Sequence, residues 1–88
     1  MANDSANGTQ HPQPNLAAMQ AAFRERRAQL GITIDEVASR SGIDRRDVLR
    51  LANGEVRGSI SAWWAIARAV ETPLSDLSKR LDDPTDPS

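Results

Sequence analysis

The sequence predicts an all-α protein that folds as a bundle of five short helices. Capping residues and glycine or proline stops divide the chain into five segments, and apolar residues recur within each segment at helical spacing. No stretch of useful length alternates apolar and polar residues as a strand does, and no internal repeat is present. At 88 residues the chain is one domain at most and has room for one modest core.

The first predicted helix begins at a cap on Asn15 and runs to about residue 29. Gly31 follows as a C-terminal stop, because glycine adopts the left-handed conformation that ends many helices. The residues that recur at helical spacing, and so mark the buried stripe of this helix, are Leu16, Met19, Phe23 and Leu30.

Two short helices follow, joined by a tight turn that contains Gly42. Thr33 and Glu36 have the spacing of a capping box, which predicts a second helix that ends just before this glycine. Asp44 is a further N-cap and predicts a third helix over about residues 45–52. Two helices this short and this close together form either a reading motif for nucleic acid or an ordinary packing unit.

Two more helices complete the predicted bundle. Ser59 caps a fourth helix over about residues 60–70, and Thr72 with Pro73 begins a fifth over about residues 73–80. The predicted buried face of the fourth helix consists of Ile60, Trp63, Ala67 and Val70. The fifth helix is expected to bury Leu74 and Leu77.

The two ends of the chain differ from its middle in composition. Residues 1–14 are polar with almost nothing apolar to bury, which predicts a disordered leader, and residues 82–88 are predicted to form a disordered acidic tail. The folded domain is therefore assigned to residues 15–81. This segment holds eleven basic and eight acidic residues, a net charge of +3, whereas the whole chain has a formal charge of −1.

The composition excludes several classes of function. The chain has no cysteine, and its single histidine is His11, so neither a zinc cluster nor a histidine-based catalytic site can be built. We therefore expect no catalytic residues, no metal and no cofactor. No apolar run approaches the roughly 18 residues of a membrane span, and the polar N-terminus is unlike a signal peptide, so we expect a cytoplasmic protein.

The predicted third helix presents a basic outward face. The side chains expected to point outward are Arg45, Arg46, Leu49 and Arg50. Two guanidinium groups four residues apart can each bind a guanine in bidentate fashion, and a leucine beside them can contact a thymine methyl group. Alternatively, these arginines form a solvated surface balanced by Asp44, Asp47 and Glu55. The segment alone leaves both interpretations open.

Further residues along the chain carry a resemblance to a known family. They are Phe23 to Arg27, Leu30 to Thr33, Glu36 to Ala38, Ser41 to Ile43, Val48 to Leu51, Asn53-Gly54, Ser59-Ile60 and Ile66 to Val70. In this register, over about residues 19–78, the chain resembles the Cro/lambda-repressor type of helix-turn-helix protein, also called the XRE family. The resemblance implies a five-helix bundle and a transcriptional regulator, usually a dimer on a two-fold site.

The resemblance also implies roles for individual residues on double-stranded DNA. The base contacts fall on Arg45, Arg46 and Arg50, whereas Leu49, the predicted thymine contact on the same face, stands where the family usually has a small polar residue. The end of the third helix and the loop after it imply phosphate contacts by Asn53, Gly54 and Arg57. The helix N-termini at Thr33 and Asp44 also present backbone N–H groups that suit phosphate. Arg27 matches an arginine that the family often uses in an ion pair, here with Glu36.

Departures from the family pattern leave a second function open. Ile34 stands where a phosphate-binding glutamine is common, and Glu55 where a basic residue is usual. Both changes weaken the predicted anchoring to phosphate. The leading prediction is a sequence-specific regulator, a repressor that acts as a homodimer, and the alternative is a protein-interaction module on the same fold.

Two adjacent tryptophans bear on the predicted assembly. They cannot point the same way on a helix, and Trp63 shares the face of the predicted core residues. Trp64 lies about 100° away on a helix, where it is either an anchor for a dimer interface or part of the ordinary packing. The predicted dimer interface consists of Trp64, Leu74 and Leu77.

Overall fold

The computed structural model describes residues 12–85 and contains five α-helices with no strand in that range. The helices are α1 (Leu16–Leu30), α2 (Ile34–Ser41), α3 (Arg45–Ala52), α4 (Ile60–Ala69) and α5 (Leu74–Ser78), and α5 continues into a 3-10 turn, Lys79–Asp82. The prediction of an all-α protein with five helices is therefore confirmed.

Side-chain caps begin α1 to α4 where the sequence placed them. Helix α5 was expected to begin at Pro73 with a cap on Thr72, but it begins at Leu74 and has no side-chain cap. The Asn15 side chain accepts a hydrogen bond from the backbone N–H of Ala18 at 3.0 Å. In the capping box of α2, Thr33 Oγ1 accepts from the Glu36 N–H at 3.1 Å, and Glu36 Oε1 accepts from the Thr33 N–H at 2.9 Å. The second of these bonds stabilises the ionised carboxyl, so the pKa of Glu36 lies below its ordinary value.

A single core joins all five helices. Its largest completely buried side chains are Phe23, Val37, Val48, Ile66 and Val70. Trp63 is also buried, as predicted, and its ring meets that of Phe23 edge to face with the centroids 6.2 Å apart. The indole N–H of Trp63 donates to the Arg57 carbonyl at 2.7 Å, so the polar atom of this buried side chain is satisfied.

The packing order leaves α3 at the edge of the bundle. Helix α2 packs against both α3 and α4, whereas α3 packs chiefly against α2 and α1. Helix α5 and the 3-10 turn close over α1 on the far side. The outer face of α3 is therefore uncovered by the described part of the chain, while its inner face is tied to two helices.

Two apolar residues differ from the predicted core or the predicted dimer interface, although the expected burial of Leu77 by the fifth helix is confirmed. Ile60 was assigned to the core, but its side chain is 79% exposed. It is the first residue of α4, where a side chain leans back toward the helix N-terminus, and it lines an open apolar groove rather than the closed core. Leu77 was assigned to a dimer interface, yet it is only 2% exposed and belongs to the core. Assigning it to an interface was therefore wrong.

The predicted tail is partly folded. Asp82 ends the 3-10 turn. The side-chain amide of Asn15 donates to the carbonyls of Asp83 at 3.4 Å and Pro84 at 3.0 Å. These bonds hold the chain against the start of α1, so placing disorder from residue 82 onward was wrong. Of the predicted leader, residues 12–14 are exposed and non-helical, and residues 1–11 and 86–88 lie outside the described range.

Two other kinds of site are absent from residues 12–85. No helix there is both long enough and apolar enough to cross a membrane. The same residues contain no group of three or more histidine, cysteine, aspartate or glutamate side chains arranged to hold a metal ion.

Candidate nucleic-acid interface

The outer face of α3 brings the four predicted base-contact residues together. Asp44 caps the helix by accepting from the Arg46 N–H at 3.0 Å, which fixes the first turn. The inward residues Val48 and Leu51 are buried, so the opposite side of the helix must face outward. A shallow concavity of about 670 Å³ runs along that side, lined by Asp44, Arg45, Arg46, Leu49, Arg50, Asn53 and Glu55.

The three arginines of this face differ in how strongly they are held. Arg45 Nε lies 2.6 Å from Asp35 Oδ1, and Arg50 lies 3.8 Å from Asp47 on its own helix. Arg46 has no ion-pair partner within 4.0 Å among the described residues. All three side chains are exposed, so each has room to turn toward a ligand.

The electrostatic character of this face is nearly neutral rather than strongly basic. Asp44 and Glu55 line the same concavity as the arginines, and Asp47 lies on the same helix. A face of this kind provides little general attraction for a polyanion. A ligand bound there would be held mainly by hydrogen bonds from individual guanidinium groups.

The C-terminal end of α3 is fastened to α1. Arg24 Nη1 donates to the carbonyl oxygen of Ala52 at 2.6 Å, at the end of the helix where carbonyls lack intrahelical partners. The side chain of Gln20, which is mostly buried, lies against Gly54 just beyond. Neither residue was singled out from the sequence, because Arg24 resembled its exposed neighbours and an isolated polar residue on α1 carries no spacing signal.

The predicted phosphate-contact residues do not all reach this face. Asp44 and Asn53 line the concavity, and Gly54 follows directly after it. Thr33 is exposed, but its backbone N–H already donates to Glu36. The side chain of Arg57 belongs to a different depression, an apolar groove of about 290 Å³ beside α4 and α5.

The expected ion pair between Arg27 and Glu36 does not form. Arg27 Nη1 instead donates to the Ile32 carbonyl at 3.0 Å, and the Glu36 carboxylate is engaged in the capping box. Among residues 12–85 these two side chains are not within ion-pairing distance. The prediction was wrong because a local bond three residues away competed successfully for the carboxylate.

Helices α2 and α3 are joined by a glycine turn, and α3 presents polar side chains outward from the edge of the bundle. This is the arrangement of a helix-turn-helix domain. Comparison with known families agrees, since the family model described as "Helix-turn-helix" matches residues 23–77. The chain belongs to this family, which is the Cro/C1 or XRE type. Membership implies DNA as a partner and a role in transcriptional regulation. No curated protein and no solved structure matched the chain.

Proposed function

We propose that this chain is a sequence-specific transcriptional repressor that inserts α3 into the major groove of double-stranded DNA. The observation that carries the proposal is the uncovered face of α3, on which Arg45, Arg46 and Arg50 project from a helix fastened at its far end by Arg24. The major groove admits one α-helix, and the commonest specific contact there is arginine to guanine.

The residues of the α3 face divide into two roles. Arg45, Arg46 and Arg50 bind guanines, and Leu49, which is half-buried on the same face, contacts a thymine methyl group. The backbone N–H groups that follow Asp44, together with Asn53 and Gly54, orient the helix against phosphates. The helix cap at Thr33 and the loop that contains Arg57 would contact the DNA phosphates only at the edges of the site.

Repression is the output that fits a bundle of this size. Residues 15–85 form one small core around α1 to α5, and a bundle bound at a promoter blocks access by occupying it. Such a mechanism requires affinity and the correct sequence, and it requires no contact with the transcription machinery.

A homodimer is proposed on a separate surface, formed by exposed apolar side chains of α4. Ile60 and Trp64 are four residues apart and are 79% and 53% exposed. The guanidinium of Arg68 lies 4.9 Å from the centre of the Trp64 ring and covers part of it. Ile60 also lines the apolar groove to which Leu74 contributes. Exposed large apolar side chains grouped in this way are typical of interfaces.

Selection from a random pool of DNA duplexes tests the proposal. The full chain is incubated with the pool at roughly 50 mM and again at roughly 150 mM salt, because phosphate contacts weaken steeply with salt. We expect enrichment of a two-fold sequence that contains guanines in each half. Enrichment of a single unrepeated half-site would keep the DNA-reading role and remove the dimer.

The same experiment evaluates a second candidate function, a protein-interaction module that no longer binds DNA. The near-neutral charge of the α3 face and the acidic side chain of Glu55 favour this candidate. If no complex with DNA forms even at the lower salt concentration, the repressor proposal is overturned. The exposed Trp64 and Ile60 would then form the surface to investigate.

A further inference from the structure

We propose that Asp35 determines base specificity by orienting the guanidinium of Arg45. This inference rests on the proposed function, because it concerns how one arginine of the α3 face reads DNA. Asp35 is the second residue of α2, and Arg45 is the first residue of α3. Their side chains form the ion pair that connects the two helices of the motif among the described residues, with Nε 2.6 Å from Oδ1.

The atom that Asp35 contacts determines which part of Arg45 remains available. A guanidinium carries five N–H donors in one plane, and the carboxylate takes the one on Nε. Within the described chain, no other hydrogen bond is made by the Arg45 side chain. The outer edge, which carries one N–H on each terminal nitrogen, is therefore open. That edge matches the paired acceptors N7 and O6 of guanine.

Stability of the fold does not account for this ion pair. Both side chains are well exposed, at 61% for Arg45 and 75% for Asp35, and exposed pairs contribute little to folding. The pair instead biases a long, flexible side chain toward one orientation on the ligand-facing side. An arginine ordered in advance loses less conformational entropy on binding its target.

The Asp35 carboxylate also disfavours contacts between Arg45 and DNA phosphates. It places a negative charge beside Arg45, so a phosphate that approaches the same guanidinium is repelled while the neutral edge of a guanine is not. We infer that Asp35 lowers affinity for arbitrary DNA and raises discrimination at one base. A residue that only supported the helix by its favourable charge at the α2 N-terminus would leave the discrimination at that base unchanged.

Four variants of the full chain test this inference: Asp35→Asn, Asp47→Asn, Arg45→Ala and the double variant Asp35→Asn/Arg45→Ala. Asp47→Asn is the matched control, because it removes one negative charge beside another arginine of the same face. The probes are the DNA site selected with the unmodified chain, the same site with each guanine replaced in turn, and a random duplex. The position that loses its preference in Arg45→Ala is the base read by Arg45.

We expect Asp35→Asn to reduce the preference for guanine at that position by about fivefold or more, within the range of roughly fivefold to a hundredfold that a bidentate contact provides. Affinity for the random duplex should rise, because a repelling charge is gone. In the Arg45→Ala background, Asp35→Asn should change no base preference. Asp47→Asn should leave the preference at the Arg45 position unchanged.

An unchanged guanine preference in Asp35→Asn, or an equal loss in the presence and absence of Arg45, would overturn the inference. Because each preference is a ratio measured on one protein preparation, a smaller folded fraction does not alter it. Failure of the proposed function looks different, since the unmodified chain would then select no DNA site. If it selects a site but Arg45→Ala loses no preference, the repressor proposal stands and the role of Asp35 fails.

Discussion

The guanidinium of Arg24 on α1 donates to the carbonyl oxygen of Ala52, the last residue of α3, across a distance of 2.6 Å. A cation at this place satisfies an orphan carbonyl and complements the negative end of the helix dipole. The orientation of α3 relative to the core therefore depends on a residue 28 positions earlier in the chain.

Replacement of Arg24 by alanine should destabilise the bundle. A hydrogen bond that involves a charged group contributes about 1.5–3 kcal/mol. Because the Arg24 side chain is partly exposed to solvent, we expect Arg24→Ala to lower the free energy of unfolding by a smaller amount, about 1–2 kcal/mol. Urea denaturation followed by circular dichroism measures this change. Lys79→Ala removes a positive charge from an exposed residue with no ion pair in the described range, and it should leave stability almost unchanged.

Replacement of Arg50 by alanine should weaken binding to the selected DNA site more than binding to a random duplex. Loss of a bidentate contact to guanine costs about 1–3 kcal/mol on the specific site. Fluorescence anisotropy with both duplexes at one salt concentration gives the two losses. Lys79→Ala, in the 3-10 turn after α5, is the control and should affect neither. Equal losses on the two duplexes would mean that Arg50 contacts phosphate only.

Replacement of Trp64 by alanine should convert a dimer into a monomer without unfolding it. The side chain is 53% exposed, so its removal leaves no large cavity in the core. Multi-angle light scattering at micromolar concentration measures the mass. Trp63→Ala provides the contrast, because that ring is buried and its loss should cost about 3–5 kcal/mol of stability. An unchanged mass for Trp64→Ala would remove α4 from the proposed interface.

The capping box of α2 should make stability depend on pH in the acid range. The Thr33 N–H donates to the Glu36 carboxylate and keeps the pKa of that group below its ordinary value of 4.5. The stabilisation is therefore complete above about pH 4.5 and is lost as the pH falls through the lower pKa of the folded state. Urea titrations of the unmodified chain and Glu36→Ala should differ at pH 6 and converge toward pH 3. If the free energies of unfolding of the two proteins still differ at low pH, the effect of Glu36→Ala arises from helix propensity and not from the capping box.

Gly58 should be intolerant of alanine for two reasons. Its φ angle is +79°, and a Cβ there would overlap Leu51 Cδ2 and lie 3.0 Å from Trp63 Nε1. We expect Gly58→Ala to cost about 2–4 kcal/mol, the sum of left-handed strain and overpacking. Gly42 is the matched control: its φ is +76°, but nothing lies within 4 Å of its Cβ position. Gly42→Ala should cost only the strain, about 1–2 kcal/mol. Thermal unfolding of both variants measures the difference.

Local signals account for the part of the structure that the sequence predicted well. The caps at Asn15, Thr33, Asp44 and Ser59 each form the expected hydrogen bond, and each helix begins at the residue that follows. A cap involves residues two or three positions apart, so its pattern is complete within the sequence.

The errors arose where a side chain has two competing environments. Periodicity placed Ile60 on the core face of α4, but it cannot indicate whether another helix covers that end of α4. Likewise, the sequence could not decide whether Leu77 packs in the core or at an interface, because that depends on how α5 packs. The contact between Asp35 and Arg45 spans ten residues across the turn and depends on the angle between two helices, which no spacing rule provides.

The two ends of the described chain meet on the bundle. The backbone N–H of Asn15 donates to the Leu81 carbonyl at 2.9 Å, and both Pro14 and Leu81 line the apolar groove rather than the α3 concavity. Residues 14 and 81 thus lie at one location, outside the concavity lined by Arg45, Arg46 and Arg50. A short linker could also connect these ends, and a circular permutant opened in the loop at Glu55 would retain every helix while moving its new termini beside the candidate DNA face.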